Sequence, residues 1–261
     1  MTSISYCRSK IAPYLVTTGS SDTSILNHDV RVKDSVISTI NRHKGQISSV
    51  LWSGYNSRDM MQMTDPSQVL LASSSVEDSA LATWSLRDIL NHSHGAELNP
   101  RTFCSLDKGA SKLVLAWHPH KTGFLATGGG GADENIIRLW NFNKGTAPVH
   151  AVRCTAPVTA LSWRKSLLSN PESDDLISTH GYPENGFKLW QVDKVRSDGG
   201  PTESSFKYWF TKAKDFGCHE AAICSQVLSP DGSLSATLSH DETLALWKVF
   251  TPLQKNKDTF N

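Results

Sequence analysis

The stretch His219–Trp247, HEAAICSQVLSPDGSLSATLSHDETLALW, decides the fold. Its apolar segments ICSQVL, LSATLS and TLALW alternate with small or polar residues at a period of two, the pattern of half-buried strands. The tetrapeptide Ser229–Gly232 has the composition of a turn between two of them. Four polar residues punctuate the unit: His219 ahead of the first strand, Thr237 on the second, Asp241 in the following turn and Trp247 closing the third. A histidine bonded to an acid on one side and a hydroxyl on the other, with an indole N–H on that hydroxyl, satisfies every buried polar group of such a unit. A hydrolase triad is the competing reading. Repetition decides against it, because His43, Asp78 and Trp84 recur in the same order in another unit.

Working outward, the chain divides into five such units. Trp84, Trp140, Trp190 and Trp247 end alternating segments at intervals of 56, 50 and 57 residues, and one further interval back falls on His28. Each unit carries a middle segment of small residues: LVTTGS, LLASSS, LATGGG, LISTHG and LSATLS. A second set of tryptophans, Trp52, Trp117 and Trp163, ends the apolar strand that opens a unit. This is the period of a WD-repeat β-propeller lengthened by loop insertions. The fold class is all-β, with five blades of a seven-bladed propeller, incomplete and not closed. One domain covers 1–261, with repeats at about 1–40, 41–90, 108–145, 150–192 and 205–250 and a polar tail at 251–261. Insertions fall at Tyr55–Ser67, Asp88–Lys108, Leu167–Asp175 and Asp193–Gly217, and SFKYWF (Ser205–Phe210) supplies an outer strand. Five four-stranded blades are expected, although the last has no obvious outer strand of its own. The histidine position is degraded to Lys108 and Cys154 in two units, and Glu184 holds one acid position.

Composition narrows the function classes. Hydrophobic residues make up 38%, charged residues 20%, and the formal net charge is +1. A neutral balance supplies no electrostatic reason to bind nucleic acid or an anionic membrane. No run of 18 apolar residues exists to span a bilayer, and the opening MTSISYCRSK has no signal-peptide core. Five cysteines, Cys7, Cys104, Cys154, Cys218 and Cys224, include no CxxC pair. They read as free thiols of a reducing compartment, so nucleus and cytoplasm are expected. Gly128–Gly131 is not followed by the Lys-Ser/Thr of a phosphate loop and reads as a tight inter-strand loop. His118 and His120 have no metal-ligand partner at a recognised spacing, and His92 and His94 lie in a polar insertion. No catalytic residue, metal or cofactor is expected, and the chain is read as a binding protein rather than an enzyme.

Four stretches carry a more specific likeness: His28–Trp52, Ala116–Asn141, Leu176–Trp190 with its HGY followed by Asn, and Leu228–Phe250. They resemble the third-to-fourth blade junction and the fifth, sixth and seventh blades of the Fizzy and Fizzy-related proteins, the WD-repeat activators of the anaphase-promoting complex. The long insertions look more like the meiosis-specific fungal members. The resemblance implies a non-enzymatic subunit that binds degrons, the KEN box and the destruction box, and brings their owners to the ubiquitin ligase. Its partners would be subunits of that complex and degron-bearing substrates or inhibitors. The alternative is a general WD-repeat scaffold that reads no degron. The sequence departs from the family in having no C-box and no Ile-Arg terminus, and in matching blades three to seven only.

The resemblance also implies sites. Matching by distance from each blade's tryptophan puts Glu77, Gly131, Glu184, Asn185 and Ala245 on a top-face rim that reads the KEN box. The family has Arg at the place of Ala245 and Thr at that of Gly131. Glu77 and Glu184 are therefore expected to favour the degron's lysine and disfavour its glutamate. Asp241, Glu242 and Thr243 form the available half of a destruction-box site, unless Asp241 is spent inside its own blade.

Overall fold

A computed structural model describes residues 1–54, 65–91, 98–106, 113–130, 135–164, 173–196 and 206–249. Short alternating segments and abundant turn formers produce an almost purely β architecture of five antiparallel sheets. The first contains β1 (Ser3–Tyr6), β2 (Leu15–Gly19), β3 (Ile25–Asp29) and β4 (Val36–Ile40). The second contains β5 (Ile47–Trp52), β6 (Leu70–Ser75), β7 (Ala80–Ser85) and β8 (Thr102–Ser105). The third contains β9 (Val114–Trp117), β10 (Phe124–Gly128), β11 (Ile136–Asn141) and β12 (Pro148–Arg153). The fourth contains β13 (Val158–Trp163), β14 (Ser173–His180), β15 (Gly186–Arg196) and β16 (Phe206–Cys218). The fifth has three strands among the described residues, β17 (Ile223–Leu228), β18 (Leu234–Ser239) and β19 (Leu244–Lys248).

Trp84, Trp140, Trp190 and Trp247 all lie on third strands. The expectation of five four-stranded blades is met in the first four; in the last, three strands are described and TPLQKNKDTFN lies outside the described residues. The insertions hold more structure than their polarity suggests. Asp88–Lys108 contains β8 and part of a one-turn helix, α1 (Leu86–Leu90), capped by Ser85. Thr102 earns its place in β8 by bonding the Thr83 hydroxyl at 2.6 Å while Cys104 turns inward. Asp193–Gly217 is largely the extension of β15 and β16, an antiparallel pair much longer than the others. The described part of Tyr55–Ser67 ends in a short 3₁₀ turn, Pro66–Gln68, capped by Asp65.

The core consists of four layers between successive sheets. The front of each sheet packs on the back of the next: Leu15 and Ile25 on Trp52 and Trp84, Leu70 and Leu81 on Trp117 and Trp140, Phe124 and Ile137 on Trp163 and Trp190, Ile177 and Phe187 on Leu228 and Trp247. The inner-strand tryptophans also bond across these layers. Trp52 donates to the Thr17 hydroxyl at 2.8 Å, Trp117 to the Leu51 carbonyl and Trp163 to the Ala116 carbonyl, each at 2.9 Å. Two glycines permit the approach. A Cβ on Gly19 would lie 2.5 Å from Ile47 Cγ2, and one on Gly128 would lie 2.6 Å from Val158 Cγ1. Among the described residues the first and last sheets form no packed layer with each other, and side chains on the back of the first and the front of the fifth are exposed.

Candidate functional site

Interior polar chains fix the turns on which a binding rim can be built. In the second sheet Trp84 donates to Ser73 Oγ at 2.8 Å, Ser73 Oγ meets His43 Nε2 at 2.9 Å, and His43 Nδ1 faces Asp78 Oδ2 at 3.1 Å. Asp78 Oδ2 also accepts the Lys44 N–H at 2.9 Å, and its Oδ1 accepts that of Ala80 at 3.1 Å. Burial holds His43 below the usual histidine range despite Asp78. Burial opposes ionisation of Asp78, but the Lys44 N–H and His43 outweigh it and keep the carboxyl below its ordinary value. The fifth sheet repeats the chain with Trp247, Thr237 and His219, at 2.7 and 2.8 Å. There His219 Nδ1 meets Thr243 Oγ1 at 2.9 Å and lies 3.3 Å from Asp241.

The other sheets reach the same end by substitution. In the fourth, Cys154 holds the usual histidine position, and His180, from the end of β14, replaces it. Trp190 donates to Ser178 Oγ at 2.7 Å, Ser178 meets His180 Nε2 at 2.7 Å, and His180 Nδ1 donates to the Ala156 carbonyl at 3.3 Å. In the first sheet His28 takes the tryptophan's role and bonds Thr18 at 3.1 Å. In the third, Trp140 bonds Thr127 at 3.0 Å, and Lys108 lies outside the described residues.

The rim is the row of turns between second and third strands. In the four that are fully described, the residue five before the tryptophan position is left-handed and is never glycine: Thr23 (φ 76), Ser79 (φ 47), Asn185 (φ 48) and Glu242 (φ 65). Non-glycine residues adopt this region uncommonly, so the turn geometry is imposed by the strands and caps around it. Glu77 stands exposed in the β6–β7 turn, over Gly45. Asn185 is buried in the β14–β15 turn; its Nδ2 donates to the Glu220 carbonyl at 3.2 Å, and its Oδ1 has no partner. Tyr182 is exposed on the same turn. Ala245 lies inside β19, paired with Thr237, rather than in a turn. Gly131 lies outside the described residues.

The geometry bears on two of the site expectations. Glu184 is not a free rim carboxylate, because Lys188 Nζ forms an ion pair with it; its Oε2 lies 4.0 Å from His180. Lys188 and Arg138 stand two residues before Trp190 and Trp140, the offset that Ala245 has from Trp247. Applying that one offset to every repeat would have found both cations. Asp241 is spent inside the fifth sheet: its carboxylate accepts from the Thr243 N–H, the Thr243 hydroxyl and the Glu220 N–H. These bonds, led by the Thr243 hydroxyl, hold its carboxyl well below the carboxylate range. Of the destruction-box trio, Glu242 alone is an acid facing out.

No protein-family model matches the chain. It is 28% identical over 237 residues to the WD repeat-containing protein slp1 of Schizosaccharomyces pombe, covering 91% of this chain and 40% of that protein. It is 29% identical to the anaphase-promoting complex subunit cdc20 of Dictyostelium discoideum, over 91% of this chain and 39% of the relative. It is 30% identical over 246 residues to the protein FIZZY-RELATED 1 of Arabidopsis thaliana, over 94% of this chain and 42% of the relative. The chain is a homologue of the Fizzy and Fizzy-related proteins.

This Fizzy-type array spans about two fifths of the length of the curated relatives it matches. Its fold matches a chain of a crystal structure of a mitotic checkpoint complex with a TM-score of 0.67 and 26% identity, covering 95% of this chain and 61% of that one. The names of these relatives denote a repeat protein and a complex subunit rather than an enzymatic activity.

Proposed function

We propose that this chain is the substrate-selecting part of an activator of the anaphase-promoting complex, and that it works by binding alone. The observation that carries the reading is homology over more than nine tenths of the chain to proteins that include a named subunit of that complex. The array of turns supports it with groups suited to an extended peptide. Glu77, exposed in the β6–β7 turn, offers a carboxylate to a lysine. The hydroxyls that resemble nucleophiles, Ser73 and Thr237, are buried between a histidine and an indole, where no substrate reaches them. On this reading the protein acts in nucleus and cytoplasm on degron-bearing substrates or inhibitors.

The destruction-box half-site is poorer than the sequence suggests, because Asp241 and Thr243 are consumed internally. The test is retention of the chain on beads carrying KEN, destruction-box or scrambled peptides. KEN beads should retain it above the scrambled control, and destruction-box beads should not. Equal retention on all three would overturn the proposal in favour of a scaffold that reads no degron.

A further inference from the structure

At the end of the sheets opposite the rim, neighbouring sheets meet through the residues that lead into their second strands. Leu71, Leu125 and Leu176 fix the register there, since each pairs with the tryptophan of its own third strand. At the junction of the third and fourth sheets, Lys121, four residues before Leu125, forms an ion pair with Asp174, two before Leu176. Asp174 also meets His118 Nε2 at 3.1 Å, so a cation and its acid fill this junction. At the junction of the second and third sheets the same two offsets hold Ser67 and Gly123. A crevice of about 370 Å³ opens there, lined by Ser67, Gln68, Arg101, Thr122 and Asn143 around Gly123. Its cation comes from another element. Arg101 leads into β8, its backbone N–H held by the Thr83 carbonyl at 2.8 Å and its Nη1 donating to the Ser67 carbonyl at 3.0 Å. Ser67 is fixed in turn by Asp65, whose carboxylate accepts the Ser67 N–H at 2.9 Å and pairs with Arg87. A guanidinium has five donors, and among the described residues no acid pairs with this one.

We propose that this crevice binds a carboxylate, the side chain of an aspartate or glutamate on a partner protein, which takes toward Arg101 the part that Asp174 takes toward Lys121. A guanidinium presents a planar fork that matches a carboxylate with two parallel bonds. The Ser67 carbonyl holds that fork in place before a ligand arrives. The Thr122 hydroxyl adds a donor from the facing sheet. Gly123 stands where the third sheet would otherwise bring its own acid, and at φ 67 it holds a conformation that a side chain would strain. The space is larger than one carboxylate, so it admits the acidic side chain together with the peptide that carries it. Its lining comes wholly from the second and third sheets, so the site does not depend on what flanks the array.

Amide NMR spectra of the full chain, read at Gly123 and taken at constant ionic strength, test this with three probes. They are a blocked glycine–glutamate–glycine tripeptide, its glutamine counterpart and sodium acetate. Arg101 and Lys207 are both exposed, so Arg101→Met and the control Lys207→Met leave the core intact, and the same spectra report that each stays folded. The glutamate peptide should shift the Gly123 amide to saturation, and the glutamine peptide should not. Acetate should need a several-fold higher concentration, because it lacks the rest of the side chain and its backbone. Arg101→Met should raise the half-saturation concentration of the glutamate peptide by roughly tenfold or more, as expected for loss of a charge-assisted bond. Lys207→Met should leave it unchanged. The absence of a saturable shift with the glutamate peptide would overturn the proposal, as would a shift that survives Arg101→Met. Acetate saturating at the same concentration as the peptide would assign the crevice to a free anion and overturn the partner.

Discussion

His180 shows how a residue takes over a role whose sequence position belongs to another. Spacing places His43 and His219 ahead of their blades and leaves Cys154 in the fourth, but it is silent on a histidine arriving from β14. The signal was present, since His180 stands two residues after Ser178 and so shares its strand face. Burial, only partly offset by the Ala156 carbonyl, pushes the His180 pKa down to about 4. An unfolded histidine titrates near pH 6.5, so the unfolded chain takes up the proton first as pH falls. The stability held by neutral His180 is intact above about pH 6.5 and drains toward about pH 4. Between pH 7 and pH 5 the loss should be on the order of 2 kcal/mol. Urea midpoints of His180→Gln should show a shallower fall over that interval; an unchanged fall would remove His180 from the account. The left-handed turn residues give a second residue-scale expectation. Thr23 is β-branched at φ 76, so Thr23→Asn should raise the thermal midpoint, by a gain of about 1 kcal/mol. A lower midpoint would contradict the strain.

At the level of elements, close packing between sheets explains residues that composition alone assigns to loops. The glycine run after β10 reads in sequence as a loop, yet Gly128 ends a strand and faces Val158 across an inter-sheet layer. Gly128→Ala should cost about 1–3 kcal/mol by overpacking. Gly54→Ala, whose Cβ would find Arg8 at an ordinary 3.7 Å, should cost much less. Equal urea midpoints for the two variants would show that the layer yields. Third strands were legible because an indole marks the end of four of the five and the alternation is strong. β8 and α1 were not, because four or five residues among polar neighbours carry too little periodicity to separate from a loop. The long β15–β16 pair was half legible: SFKYWF announces a strand, but TKAKDFGC has a composition that fits a surface loop equally well.

The whole molecule is a row of blades whose rim was only partly legible. The blade count follows from repeat spacing, a property local to the chain. The pairing of Glu184 with Lys188, and the internal use of Asp241, depend on which way side chains turn inside a blade, which spacing does not record. The central claim is that this rim reads a degron peptide, and it is tested by titrating a labelled KEN peptide against the wild-type chain, Ala245→Arg and Glu77→Lys. A gained charge-assisted bond of about 1.5–3 kcal/mol corresponds to a tightening of roughly tenfold or more. The account predicts that Ala245→Arg tightens binding by at least about that factor and that Glu77→Lys, which reverses the charge offered to the peptide's lysine, weakens it by a comparable one. One affinity shared by all three chains, or no binding by any of them, would contradict it.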